Sequence, residues 1–93
     1  MVNIVQSAQA GSRNKGDLVV TIKPRKKGSG LKLEIQSSVG KLFGKSINTT
    51  VEQKLDELNI KDAIVKIEDD GALDYVIKAR IEAAVLKASG KEQ

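Results

Sequence analysis

The chain contains neither histidine nor cysteine. Thiolate nucleophiles, disulfides, Cys-based zinc sites and Ser-His catalysis are therefore outside its reach. Hydroxyl, carboxylate, ammonium and guanidinium groups must carry whatever chemistry it has. In the small polar run Gly11-Ser12-Arg13-Asn14-Lys15-Gly16, the glycines stand five apart, but no Gly-Lys-Ser/Thr ending marks a phosphate loop. Such loops do expose hydroxyls to covalent modification. Arg25-Lys26-Lys27 can contact phosphates, or can be a solvated turn whose charges blunt a sheet edge. Asp69-Asp70-Gly71 with Asp74 lacks the alternating ligands and distal Glu of a calcium loop and reads as helix capping; no metal is expected.

Arg80 stands apart from these. At 100° per residue it falls about 20° from Leu73, in the middle of an apolar helical stripe with Val76, Ile77 and Ala84. A charge there needs a partner, or a stem long enough to reach the rim. Asp17, Asp69 and Asp70 are the candidate carboxylates, with Asp17 favoured. The alternative is a fixed guanidinium fork for a phosphate or carboxylate ligand.

Positioning these groups falls to a chain of 93 residues, 40% apolar and 30% charged, with a formal charge of +4. That size and composition predict one soluble globular domain over 1–93. Phe43 and Tyr75 are the only aromatics, so the core must be aliphatic. No apolar run is long enough to cross a bilayer and the N-terminus has no signal-peptide pattern, so no membrane partner and a cytoplasmic location are expected.

The patterning predicts a short strand at residues 2–6 and a flexible loop over 7–17. Leu18, Val20 and Ile22 then alternate with Val19, Thr21 and Lys23, as Leu31, Leu33 and Ile35 do with Lys32, Glu34 and Gln36. Two alternations flanking one turn-rich connection predict an antiparallel hairpin. Residues 38–47 suggest only a turn or two of helix, because Gly40 and Gly44 interrupt it. Thr49 and Glu52 have capping-box spacing and predict a helix start, with Val51, Leu55 and Leu58 inward and Asn59 as its left-handed stop. Residues 62–68 read as a third main strand; a helix follows over about 72–89, stopped by Gly90, with 90–93 as a tail. The expected architecture is an α+β sandwich: a mostly antiparallel sheet with two main helices packed on one face. Its core is expected to set Leu18, Val20, Ile22, Leu31, Leu33, Ile35, Val65 and Ile67 against Leu55, Leu58, Leu73, Ile77 and Ala84.

Several stretches together resemble the acyl carrier protein, or γ subunit, of citrate lyase. They are Asp69-Asp70-Gly71-Ala72-Leu73-Asp74 with Ala79-Arg80-Ile81-Glu82-Ala83, Ser37-Ser38-Val39 through Phe43-Gly44, Thr49-Thr50, and Ala10-Gly11-Ser12 with Gly16-Asp17. The resemblance spans residues 3–90. It implies a non-catalytic carrier whose N-terminal loop holds a phosphoribosyl dephospho-coenzyme A arm, 2'-(5''-phosphoribosyl)-3'-dephospho-CoA, by phosphodiester linkage to a serine. The arm's thiol carries acetyl and then citryl, which is cleaved to oxaloacetate and the acetyl carrier. The implied partners are the α acyl transferase and β lyase subunits and a holo-carrier transferase. In that family the modified serine stands two places before an Asp, and here that place is Lys15, ahead of Asp17; Asn14 replaces the preceding Glu. Ser12 is the nearest hydroxyl. Asp17 and Arg80 are the residues expected to contact the arm. The residues alone also allow a small basic nucleic-acid-binding α+β domain using Arg25, Lys26, Lys27 and Lys32, against which stands the near-absence of aromatics for stacking.

Overall fold

The computed structural model describes residues 3–38 and 40–90, with backbone alone for 40–44. The elements run β1 (Ala8–Gly11), β2 (Leu18–Pro24), β3 (Leu31–Ser37), α1 (Gly40–Glu57), β4 (Ala63–Asp69) and α2 (Asp74–Ala88). The strands form one sheet in the order β1-β2-β4-β3. The fold is α+β, as the patterning predicts.

The order of strands differs from the expected hairpin. β2 and β3 do not pair; β4 lies between them, antiparallel to β2 and parallel to β3. Ala63, Val65 and Ile67 are fully buried, so the strand with the most enclosed inner face takes the centre. A parallel neighbour requires a long crossover connection, and α1 supplies it between β3 and β4. The connection at 25–30 has only to step across one strand width, about 5 Å beyond a direct neighbour. Asp62 anchors it: its backbone carbonyl accepts from Arg25 N–H at 3.3 Å and its carboxylate from Gly30 N–H at 2.8 Å.

Ile22–Val65–Leu33 and Val20–Ile67–Ile35 line up across β2, β4 and β3. Their side chains meet Ile47, Val51 and Leu55 of α1 and Ile77, Ile81, Ala84 and Val85 of α2 in one aliphatic core. Two expected core residues lie elsewhere. Leu31 opens the edge strand and Leu73 is the N-cap ahead of α2, off its inner face; both are exposed. Leu33 and Ile35 are half-buried, because β3 has a neighbour on one side only.

The ends of the helices carry further differences. Residues 3–6 do not form a strand, and Met1 and Val2 lie outside the described residues. Instead, Val5 and Gln6 N–H groups both donate to the Ala88 carbonyl, and the Gln6 amide to that of Lys87. They add donors at the carbonyls of the last turn of α2, where Lys87 O also accepts from Gly90 N–H at 3.2 Å. Helix α1 starts well before Thr49, since buried Ile47 extends the stripe of Val51 and Leu55 back a turn. Thr49 and Glu52 are thus interior, and Glu52 instead accepts from the Asn48 amide at 3.0 Å. The helix ends as expected at Asn59, φ 59°, with Ile60 N–H reaching Leu55 O and Asn59 N–H reaching Asp56 O. Those paired bonds are a Schellman closure, completed by burial of Ile60.

Candidate functional site

The segment expected as a loop over 7–17 is partly strand. Ala8–Gly11 pairs antiparallel with β2, with Ala10 opposite Val20 and Gly11 opposite Val19. Ala-Gln-Ala-Gly has poor strand propensity, so its pairing comes from context. Gly11 is required by close approach: at φ 99°, a Cβ there would sit 1.8 Å from the Leu18 carbonyl oxygen. The Ser12 N–H donates to that oxygen at 3.1 Å.

Residues 12–17 form the β1–β2 connection. Asp17 N–H donates to Asn14 O at 3.0 Å, and Gly16 has φ 83° while Lys15 keeps a negative φ. This is a type II turn with glycine at the position that needs the left-handed region. Gly16 N–H reaches Asp70 O at 2.7 Å, and Asp70 N–H returns to Asp17 O at 3.0 Å. The turn is thereby pinned to the end of β4, with exposed Lys15 at its apex.

Asp17 is the hub. Arg80 Nε and Nη2 donate to its two carboxylate oxygens at 3.0 and 2.9 Å, a parallel fork. The Ser12 hydroxyl donates to Asp17 Oδ2 at 2.7 Å, and Leu18 N–H to Oδ1 at 2.8 Å. Hydrogen bonds from Arg80, then Ser12, hold the Asp17 carboxyl down to about 2 against the opposing effect of burial. The same pairing raises Arg80. The charge on the apolar stripe of α2 thus has the favoured carboxylate as its partner. The Ser12 oxygen also accepts from Asn14 N–H at 3.3 Å, so its proton and one lone pair are engaged.

Neighbouring charges at this end are also paired. Arg13 donates twice to Glu68, at 2.6 and 3.3 Å, which draws Glu68 below the usual carboxylate range. Buried Asp69 accepts from Gly71 and Ala72 N–H and from the Ser37 hydroxyl; Asp70 accepts from the Ser38 hydroxyl. The aspartates therefore shape the turn before α2, while the N-cap position itself, Leu73, has no side-chain cap. Among the described residues no acidic cluster could hold a metal ion. Lys15 takes part in none of the ion pairs among the described residues.

The structure brings Ser12, Asp17 and Arg80 together and sets Lys15 just above them. The roles of Glu68, as partner of Arg13, and of the Asp70 backbone could not be read in advance, because they depend on where β4 ends relative to the turn. Arg25 and Lys27 lie at the opposite end of the sheet, while Lys32 faces Glu34 on β3 at 3.6 Å.

Comparison with solved structures shows that this α+β fold occurs in another protein. A chain in the crystal structure of a Pseudomonas malonate decarboxylase hetero-tetramer in complex with malonate superposes with a TM-score of 0.75 at 21% identity, covering 95% of this chain and 92% of that one. At that identity the likeness is one of fold. Sequence comparison reaches further. The citrate lyase acyl carrier protein of Vibrio cholerae serotype O1 (strain M66-2) is 44% identical over 87 residues, 94% of this chain and 88% of the relative. That of Treponema denticola is 42% identical over 90 residues, 97% and 100% respectively. The family model described as ACP, malonate decarboxylase delta subunit (MdcD), matches residues 5–88. The chain belongs to this family of acyl carrier proteins.

Proposed function

We propose that the chain is the acyl carrier subunit of a citrate-lyase-type complex, working in the cytoplasm. It would present acetyl and citryl thioesters to an α acyl transferase and a β lyase subunit. The observation that carries this reading is identity of 42–44% to citrate lyase acyl carrier proteins over nearly the whole chain. The absence of histidine and cysteine is consistent with it, since a carrier's arm brings its own thiol. The protein's part is to tether that arm, which raises the local concentration of the acyl group to the mM range at each partner site.

The phosphoribosyl dephospho-coenzyme A arm needs a hydroxyl for its phosphodiester. Lys15, at the apex, offers an amine and does not fit that linkage. Of residues 12–17 only Ser12 has a hydroxyl, and it donates a hydrogen bond to Asp17 Oδ2 at 2.7 Å. Ser12 is therefore the residue that would hold the arm. Asp17 would orient its oxygen, and Arg80 would fix Asp17. A holo-carrier transferase would have to engage a turn in which Asn14 replaces an acidic residue.

The test is intact mass after incubation with a citrate-lyase holo-carrier transferase and the prosthetic-group precursor. Wild type should gain the arm's mass and Ser12→Ala should not. Lys15→Ser should gain it at a second hydroxyl, at the exposed apex. If none of the three is labelled, the carrier reading is wrong.

A further inference from the structure

At the end of the sheet opposite the Ser12–Asp17 turn, about 20 Å away along β2, lies a cleft of about 600 Å³. Its walls come from distant parts of the chain: Ile4, the connection at Arg25 and Lys27, and Asn59, Lys61 and Asp62 between α1 and β4. We propose that this cleft binds a small organic phosphate carrying at least two phosphoryl groups, such as a nucleoside diphosphate. The proposal does not rest on the carrier reading.

Charge is the first argument. Three cations face one carboxylate, and that carboxylate is committed to the backbone. Asp62 accepts from Gly30 N–H at 2.8 Å, and it is held below the usual carboxylate range by Gly30 and then Gly28 N–H, with smaller contributions from Arg25 and Lys27. Arg25, Lys27 and Lys61 form no ion pair among the described residues, and the three line one concavity. Cations left unpaired in one concavity raise the local concentration of anions.

Preorganisation is the second. Arg25 is half-buried, and its Nη1 donates to the Gly30 carbonyl at 3.1 Å. This holds the guanidinium in place and leaves its other N–H groups as donors for a phosphoryl oxygen. Lys27 and Lys61 add mobile point charges from separate segments, which suits an anion with charge on two centres. The side-chain amide of Asn59 adds a neutral donor at a residue whose φ of 59° is fixed by the helix closure. The third argument is size: the volume lies in the range of small-molecule sites and leaves room beyond the phosphates, with Ile4 as an apolar wall.

The test is titration of the full-length ¹⁵N-labelled chain with pyrophosphate, ADP, inorganic phosphate and a single-stranded oligonucleotide at low salt. Pyrophosphate and ADP should shift the amides of Gly28, Gly30 and Lys61, bind at least about tenfold more tightly than inorganic phosphate, and weaken with added salt. The double variant Lys27→Gln/Lys61→Gln should lose at least about tenfold in affinity with an unchanged melting midpoint; Lys78→Gln, on α2, should lose none. Shifts confined to residues 12–17, equal affinity for phosphate and pyrophosphate, or an insensitive double variant would overturn the proposal. Tighter binding of the oligonucleotide than of ADP would overturn it in favour of nucleic acid. The arm-labelling assay is independent of every one of these outcomes.

Discussion

The two ends of the sheet handle charge in opposite ways. At the β1–β2 end, Asp17 meets Arg80, Glu68 meets Arg13, and Asp69 and Asp70 are taken up by hydroxyls and backbone N–H groups. In the cleft at the 25–30 end, the lining carboxylate is turned to the backbone and the three lining cations are left without ion pairs among the described residues. A charge with a fixed partner holds structure, and a charge without one remains available to a ligand. Lys15 departs from that pattern at the paired end: it is an exposed cation with no ion pair among the described residues, at the top of a turn held from below.

This contrast predicts that stability lives at the paired end. The largest expected effect is Gly11→Ala. The added methyl would collide with the Leu18 carbonyl, and the residue would be strained at φ 99°. A loss of about 3 kcal/mol or more in a denaturant titration is expected, with β1–β2 amides losing exchange protection first. An unchanged midpoint would show that β1 is not held as described.

Asp17→Asn comes next. It leaves the Arg80 fork without its charge and weakens the bond from Ser12. A destabilisation of about 1–3 kcal/mol is expected by chemical denaturation. Asp62→Asn is expected to cost less, because its amide oxygen still accepts from Gly30. Equal costs would erase the distinction between the two ends.

Acid sharpens the same point. Asp17 titrates near 3.8 in an unfolded chain and near 2 in the fold, so the folded state binds fewer protons in that interval. Its contribution is therefore complete above about pH 5 and is lost progressively as pH falls toward about 1. With Arg80 partly open to water, the loss should be about 1–2 kcal/mol. Comparing the acid limbs of wild type and Asp17→Asn checks it: the variant should show a shallower decline, and parallel limbs would remove Asp17 as the cause. The smallest effect belongs to the other end, where Lys27→Gln and Lys61→Gln are each expected to leave the thermal midpoint unchanged.

The parts of this molecule that could be read from the sequence are those governed by local period. The alternations at 18–23 and 31–36, the strand before Asp69, the last helix and the Asn59 stop all follow from side-chain spacing. Arg80 was legible for the same reason, since a charge on an apolar stripe demands a carboxylate. Strand order was not legible, because two adjacent alternations look identical whether they pair or are separated by a third strand. β1 was hidden by Ala and Gly, and the start of α1 by Gly40 and Gly44. Among the candidate sites, the Ser12–Asp17 turn lies within one stretch of chain and could be nominated. The cationic cleft draws on residues 4, 25, 27, 59, 61 and 62, so of its members only Arg25 and Lys27 could be seen in advance.

The central position of β4 also sets the timetable on which the chain can become a protein. Emerging from the ribosome, β1 and β2 can zip together at once, but β3 has nothing to join. Both β2 and β3 must wait, apolar faces open, until Ala63–Asp69 has been made and slots between them. Non-local closure of this kind is slow and leaves sticky intermediates exposed. Fragments that stop before residue 63 should therefore aggregate rather than fold, and the last third of the chain acts as the clasp for the first two.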